Sequence, residues 1–225
     1  VNITGFLAFS QLTTNVTGHF ALFINDITQF QFWKGFLFFL YIFSFLIGSF
    51  LSSFLIEKYR ESKKINVFLL PTLLEAFILF TIGVLSNFIQ PFSADLVICL
   101  LLFAMGVQNS FVTKISNAVV RTTHLTGLFT DLGIDVSQLF FKKYKSQKKL
   151  LKANIKLRLY IITFFFVGGL IGGFFFSKIG LGLNTLSIGA VILLASLFYD
   201  DFRYKVIKTR RSFHQKRKKG NKVKL

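Results

Sequence analysis

The sequence predicts an all-α polytopic membrane protein made of two inverted three-helix repeats, each with a broken Thr-Thr-x-x-Thr-Gly segment and a short helix. Three observations carry this. Apolar residues make up 53% of the 225, and 32 residues are Phe, more than the core of a soluble domain of this size requires. Runs long enough to cross a bilayer, which takes about 20 largely apolar residues, recur along the chain. One polar phrase is written twice: Thr13-Thr14-Asn15-Val16-Thr17-Gly18 and, 109 residues later, Thr122-Thr123-His124-Leu125-Thr126-Gly127. The match continues at the same offset through Phe20/Phe129, Asp26/Asp135, Thr28/Ser137 and Gln29/Gln138.

Taken in order, residues 1–12 are apolar but too few to cross, and the single Met is Met105. The expectation is a first helix that lacks its start, by about 15 residues if Asn2 corresponds to Asn109. The first Thr-Gly segment follows at 13–30, then an uncharged second span at 35–56. A third span at 65–90 carries one charge, Glu75, and a fourth at 96–113 carries none. The second Thr-Gly segment occupies 122–139, and uncharged runs at 159–177 and 179–199 supply the fifth and sixth spans. Residues 1–90 thus form the first repeat, 91–202 the second, and 203–225 a basic tail.

Charge sets the expected orientation. Of 27 Lys and Arg, four lie in 58–64, eight in 142–158 and eleven in 203–224, whereas the 87–95 connection has none. Short cytoplasmic loops hold the excess of basic residues. Those three segments, the C-terminal tail among them, are therefore placed in the cytoplasm and the 87–95 loop outside. Three spans per half is an odd number, so the second half enters the membrane upside down. Inverted repeats of this kind are a recurring construction of secondary transporters, with the site near the midplane where the halves meet.

A second internal match supports the pairing. Gly48-Ser49 and Ser52-Ser53 in the second span correspond to Gly168-Gly169 and Gly172-Gly173 in the fifth, at an offset of 120. Small residues four apart let helix backbones approach closely in lipid, so these faces read as helix packing rather than ligand contacts.

Each Thr-Gly stretch has too many hydroxyls for an ordinary span. It reads as a break followed by a short helix, with Thr17 and Thr126 suited to N-caps and Gly18 and Gly127 permitting close approach. Broken backbone at membrane depth survives only where protein or water satisfies it. A helix beginning there points free N–H groups and a positive dipole end at a bound anion or electronegative group. The alternative is architectural, with the threonines satisfying neighbouring carbonyls at the repeat interface.

Ionisable residues in a membrane are expensive and are functional candidates by default. Glu75, eleven residues into its span, is the clearest, and Asp26, Asp131 and Asp135 follow the Thr-Gly motifs. They are read as proton or cation partners, against the plainer reading of buried or interfacial acids with hydrogen-bonding neighbours. His19 and His124 flank the motifs at non-equivalent positions; imidazole titrates near neutral pH and can couple transport to protons, although a His in a polar patch is ordinarily just hydrogen-bonded. Asn2, Gln108 and Asn109 set amides before the two breaks, as cavity lining or as helix-to-helix hydrogen bonds.

Other classes find little support. Cys99 is alone in an apolar run, excluding a disulfide framework or a thiolate metal site. The three His lack metal-ligand spacing, and no phosphate-binding loop or nucleophile and base pair is recognisable, so neither a metal, a cofactor nor an enzymatic activity is expected. The formal charge of +18 lies between the spans rather than among interleaved aromatics, so no specific nucleic-acid binding is expected. The tail reads as a topology anchor that also attracts anionic lipid headgroups at about 1 kcal/mol per basic residue near the surface.

Two stretches together are similar to a known family. Val1-Asn2-Ile3-Thr4-Gly5-Phe6 leads to Leu12-Thr13-Thr14-Asn15-Val16-Thr17-Gly18-His19, and Gly106-Val107-Gln108-Asn109 leads to Thr122-Thr123-His124-Leu125-Thr126-Gly127. The pattern resembles the YoaK-like family of bacterial membrane proteins, a domain-of-unknown-function group, over nearly the whole chain up to about Tyr199. The resemblance implies a six-span protein of the bacterial inner membrane and supplies no substrate. Many members look to carry Asp where this chain has Asn2, a departure that removes first-half carboxylate chemistry at that position.

The leading expectation is a transporter of a small molecule or ion working by alternating access. Asn2, Thr13, Thr14, Thr17 and Gly18 from one repeat and Gln108, Asn109, Thr122, Thr123, Thr126 and Gly127 from the other would surround the substrate. A noncatalytic membrane subunit or scaffold holding a protein partner or lipid is the alternative; a channel, assembled as a homo-oligomer, is a third.

Overall fold

The computed structural model describes residues 1–60, 67–86, 94–116 and 124–199, and all regular structure among them is helical. Eight helices follow one another: α1 (Asn2–Phe9), α2 (Val16–Thr28), α3 (Phe32–Tyr59), α4 (Leu69–Leu85), α5 (Ala94–Ile115), α6 (Leu125–Gln138), α7 (Lys148–Ser177) and α8 (Gly182–Tyr199), the last opening with a 3-10 turn. Among the described residues, four segments are long and apolar enough to cross a membrane: α3, α5, α7 with the 3-10 turn that leads into it (Lys142–Ser177), and α8. Helix α4 is apolar but shorter, at 17 residues. At 1.5 Å per residue it spans about 25 Å, just under a typical hydrocarbon thickness.

Helix α4 starts later than the apolar run suggests. Pro71 falls in its first turn, where the missing N–H would have had no intrahelical partner anyway. Thr72 Oγ1 donates to the Phe68 carbonyl at 2.9 Å, and Ser86 Oγ donates to the Gly83 carbonyl at 2.8 Å, holding the two ends. Helix α7 begins eleven residues before the uncharged run, because Lys and Arg are good helix formers and carry the helix beyond the apolar stretch.

The centre of the molecule is α5. Leu101, Leu102, Ala104 and Val107 are fully buried, whereas α7 contributes only Leu151 to the buried set among the described residues. One cluster joins Ala76 and Leu79 of α4, Leu101 and Ala104 of α5, and Leu186 and Ala190 of α8. The outward faces of α3 and α7 carry exposed Phe, among them Phe50 and Phe164, as suits helices whose surroundings are lipid.

Helices α3 and α5 make the most extensive packing and run parallel. Tyr41 meets Asp95, Ser49 Oγ donates to the Gly106 carbonyl at 3.1 Å, and Lys114 Nζ lies 2.6 Å from Glu57 Oε1. The separation in sequence is nearly constant along the pair, which only parallel helices allow. At the crossing, a Cβ on Gly48 would collide with the Phe103 carbonyl oxygen, and a Cβ on Gly106 with that of Phe45. Two backbones therefore touch where each chain lacks a side chain.

Candidate functional site

The first Thr-Gly segment turns the chain from α1 into α2. Ser10 closes α1 in the left-handed region with φ 56°, its N–H donating to the Phe6 carbonyl. Thr13 is fully buried; its hydroxyl donates to the Val1 carbonyl at 3.4 Å, and its methyl occupies the space left by Gly5. Asn15, rather than Thr17, is the N-cap of α2, with Oδ1 accepting from the Gly18 N–H at 3.0 Å. Thr17 is exposed and Thr14 half-buried.

The second segment is described from His124 onward. Thr122 and Thr123 lie outside the described residues. Helix α6 starts at Leu125 with His124 in the N-cap position, so Thr126, which is exposed, does not cap it either. A Cβ on Gly18 would crowd the Asn15 amide, and a Cβ on Gly127 would collide with the His124 ring. The repeated Gly thus makes room for the cap side chain three residues before it. Sequence alone favoured Thr because hydroxyls are good caps, but the break sits two residues earlier, and Asn15 and His124 are equivalent under the 109-residue offset.

His19 joins the first segment to α3 and, through Tyr41, to α5. It is buried, with Nε2 3.0 Å from the Leu12 carbonyl, and its ring stacks on Phe38 and meets Tyr41 edge-on with centroids 5.3 Å apart. A carbonyl only accepts, so Nε2 carries the proton. Tyr41 Oη donates to Asp95 Oδ1 at 2.5 Å, tying α3 to the start of α5. The residue equivalent to His19 in the second half is Leu128, also buried, so this polar connection belongs to one half only.

The acids fall into three settings. Asp26 is buried and accepts from Asn25 Nδ2 at 3.1 Å. Asp135 is ion-paired with Arg158 of α7, whose other nitrogen lies 3.5 Å from Asp131. Glu75 is fully buried in α4, and neither carboxylate oxygen has a hydrogen-bond partner among the described residues. Among the amides, Asn2 Oδ1 is buried without a hydrogen bond among the described residues, Asn109 Nδ2 donates to the Met105 carbonyl one turn back at 2.8 Å, and Gln108 is half-buried.

The structure brings Thr13, His19, Tyr41 and Asp95 into one connected region beside α1. It does not bring the two Thr-Gly helices into extensive contact: α2 packs on α3 and α6 on α7. Among the small residues, Gly48 and Ser52 are buried against α5 or beside it, and Gly172 lies within reach of Ile3 of α1. Gly168 and Gly169 have open space where a Cβ would point. Tyr41, Asp95 and Arg158 are the polar residues that pattern reading passed over. Arg158 was absorbed into a basic run, although Asp131 and Asp135, four apart on one helix face, offered it a matched pair of acceptors.

A family model described as a protein of unknown function, DUF1275, matches residues 1–199. The chain belongs to the DUF1275 family. A relative, the UPF0700 transmembrane protein YoaK of Bacillus subtilis (strain 168), is 29% identical over 179 residues, covering 76% of each chain. No solved structure matches the chain. The YoaK-like resemblance carried by the repeated motif is thus met, and the DUF1275 match ends where the basic tail begins. This DUF1275 protein is a membrane protein with several apolar helices.

Proposed function

We propose that this DUF1275 chain is a noncatalytic secondary transporter that moves a small molecule or ion by alternating access between two inverted three-helix repeats. The observation that carries the reading is Glu75, a carboxylate sealed inside an apolar helix with no hydrogen bond to the described residues. A lone ionised carboxylate is costly in hydrocarbon, so this position calls for a proton or a cation. An acid that must be neutralised when sealed, and that ionises when water reaches it, is what coupling requires. Asn2 supplies a second buried polar atom, an Oδ1 without a hydrogen bond among the described residues.

The pairing of helices supports the inverted arrangement. Helices α2 and α6 are the short helices of the two motifs, and each packs on the span that follows it. Helix α5 packs on α3, while α1 packs on α7, so each half inserts its first helix against the long span of the other. In this reading six spans cross a bacterial inner membrane, and residues 58–64, 142–158 and the tail face the cytoplasm. Rocking one half against the other then opens the region around Glu75 to each side in turn.

Flux into proteoliposomes across a panel of anions, cations and metabolites, with a pH gradient imposed, tests the proposal. The parent protein is expected to transport at least one solute with a dependence on the proton or cation gradient. Glu75→Gln, which keeps shape but cannot ionise, is expected to abolish the gradient dependence while leaving the fold intact. Absence of flux and of solute-induced stabilisation across the panel would contradict transport and favour a scaffold.

A further inference from the structure

The connector from α6 to α7 has a feature that the transport reading does not use. Helix α6 ends at Gln138, Phe141 is extended, and a 3-10 turn, Lys142–Gln147, runs directly into α7. In a 3-10 helix side chains three apart eclipse one another. Lys142, Lys145 and Lys148 are spaced by three and fall in one row, and all three line an open groove with Gln138, Tyr144 and the two Phe. No acidic residue lines that groove among the described residues. Phe140 and Phe141 are 83% and 59% exposed, directly beside the lysine row. A soluble surface rarely presents two adjacent aromatics so fully, whereas at a bilayer boundary they enter the acyl region while cations above them stay wet.

We infer that this groove binds the phosphate of an anionic phospholipid headgroup, with Lys142, Lys145 and Lys148 around the phosphate and Phe140 and Phe141 inserted among the acyl chains. The row supplies three charges to one phosphodiester, with no acid among the described lining residues to compete. Tyr144, with Lys143 Nζ 4.9 Å from its ring centroid, closes the aromatic side of the groove. A zwitterionic headgroup carries a compensating ammonium that the lysines repel, so phosphatidylglycerol is favoured over phosphatidylcholine. The anchoring role expected of the tail belongs to other residues, 203–225.

The test titrates the purified full chain in detergent with short-chain phosphatidylglycerol, short-chain phosphatidylcholine and inorganic phosphate, following lipid retention by native mass spectrometry. Saturable binding of phosphatidylglycerol is expected, with neither phosphatidylcholine nor inorganic phosphate matching it. The triple variant Lys142→Gln/Lys145→Gln/Lys148→Gln is expected to weaken phosphatidylglycerol binding by about tenfold or more, since each basic residue near such a surface is worth about fivefold. Neutralising Lys216, Arg217, Lys218 and Lys219 in the tail is expected to leave it within about twofold. Should the triple variant fail to fold, Lys145→Glu alone is expected to weaken binding in the same direction. Equal binding of phosphatidylcholine, full competition by inorganic phosphate, or loss of binding with the tail variant but not the groove variants would overturn the inference.

Discussion

Arg158 shows how one side chain can fix the relation of two elements. It bridges Asp131 and Asp135 of α6 from the N-terminal half of α7, and its side chain is only 21% exposed. Arg158→Ala is expected to leave Asp135 buried and unpaired and to destabilise the protein by roughly 1–3 kcal/mol, less than a fully buried pair because the site is partly open. Denaturant unfolding in detergent measures this. The double variant Arg158→Met/Asp135→Leu is expected to recover most of the loss, because no charge is then stranded. Glu75 was legible as a functional candidate because a charge inside an apolar run is rare. Arg158 was not, since a cation at the end of a basic run looks like its neighbours until the fold brings two acids to it. His19 and Tyr41 were equally hidden, because nothing in a sequence says that an aromatic twenty-two residues downstream will meet a particular imidazole.

At the level of elements, the apolar runs located α3, α5, α7 and α8, because hydrophobic length is what a bilayer selects. Their ends were less legible. Helix α7 extends through five basic residues before its apolar stretch, a continuation decided by helix propensity rather than hydropathy. The Thr-Gly breaks were visible as a repeat, but their caps were assigned to Thr17 and Thr126, whereas Asn15 and His124 occupy the cap positions. The contact of α3 with α5 was half legible: Gly48 and Ser52 marked one face, and nothing in the spacing singled out Gly106 as the other. That contact has a direct consequence. Gly106→Val is expected to force its side chain into the Phe45 carbonyl and destabilise the protein by about 1–3 kcal/mol or prevent folding, since backbone cannot move aside as a side chain can. A control, Gly133→Ala, has open space at the Cβ and is expected to leave the thermal midpoint unchanged or slightly raised.

For the molecule as a whole, charge and repetition bear on the same arrangement. The repeated motif predicts two halves, the basic segments predict their orientation, and the parallel run of α3 and α5 is what the third, antiparallel span between them must produce. In the proposed topology α3 and α5 both run inward, so the Glu57 and Lys114 pair lies at the cytoplasmic end and the Tyr41 and Asp95 pair towards the outside. The same topology puts the 60–68 connector in the cytoplasm and the 178–182 connector outside. Single cysteines introduced in turn at Ser62 and Lys178, in a Cys99→Ser background, decide it through labelling with an impermeant maleimide in intact cells and in inverted vesicles. The inverted repeat predicts that Lys178→Cys reacts from outside in intact cells and Ser62→Cys only in inverted vesicles; reaction of both from the same side would contradict it.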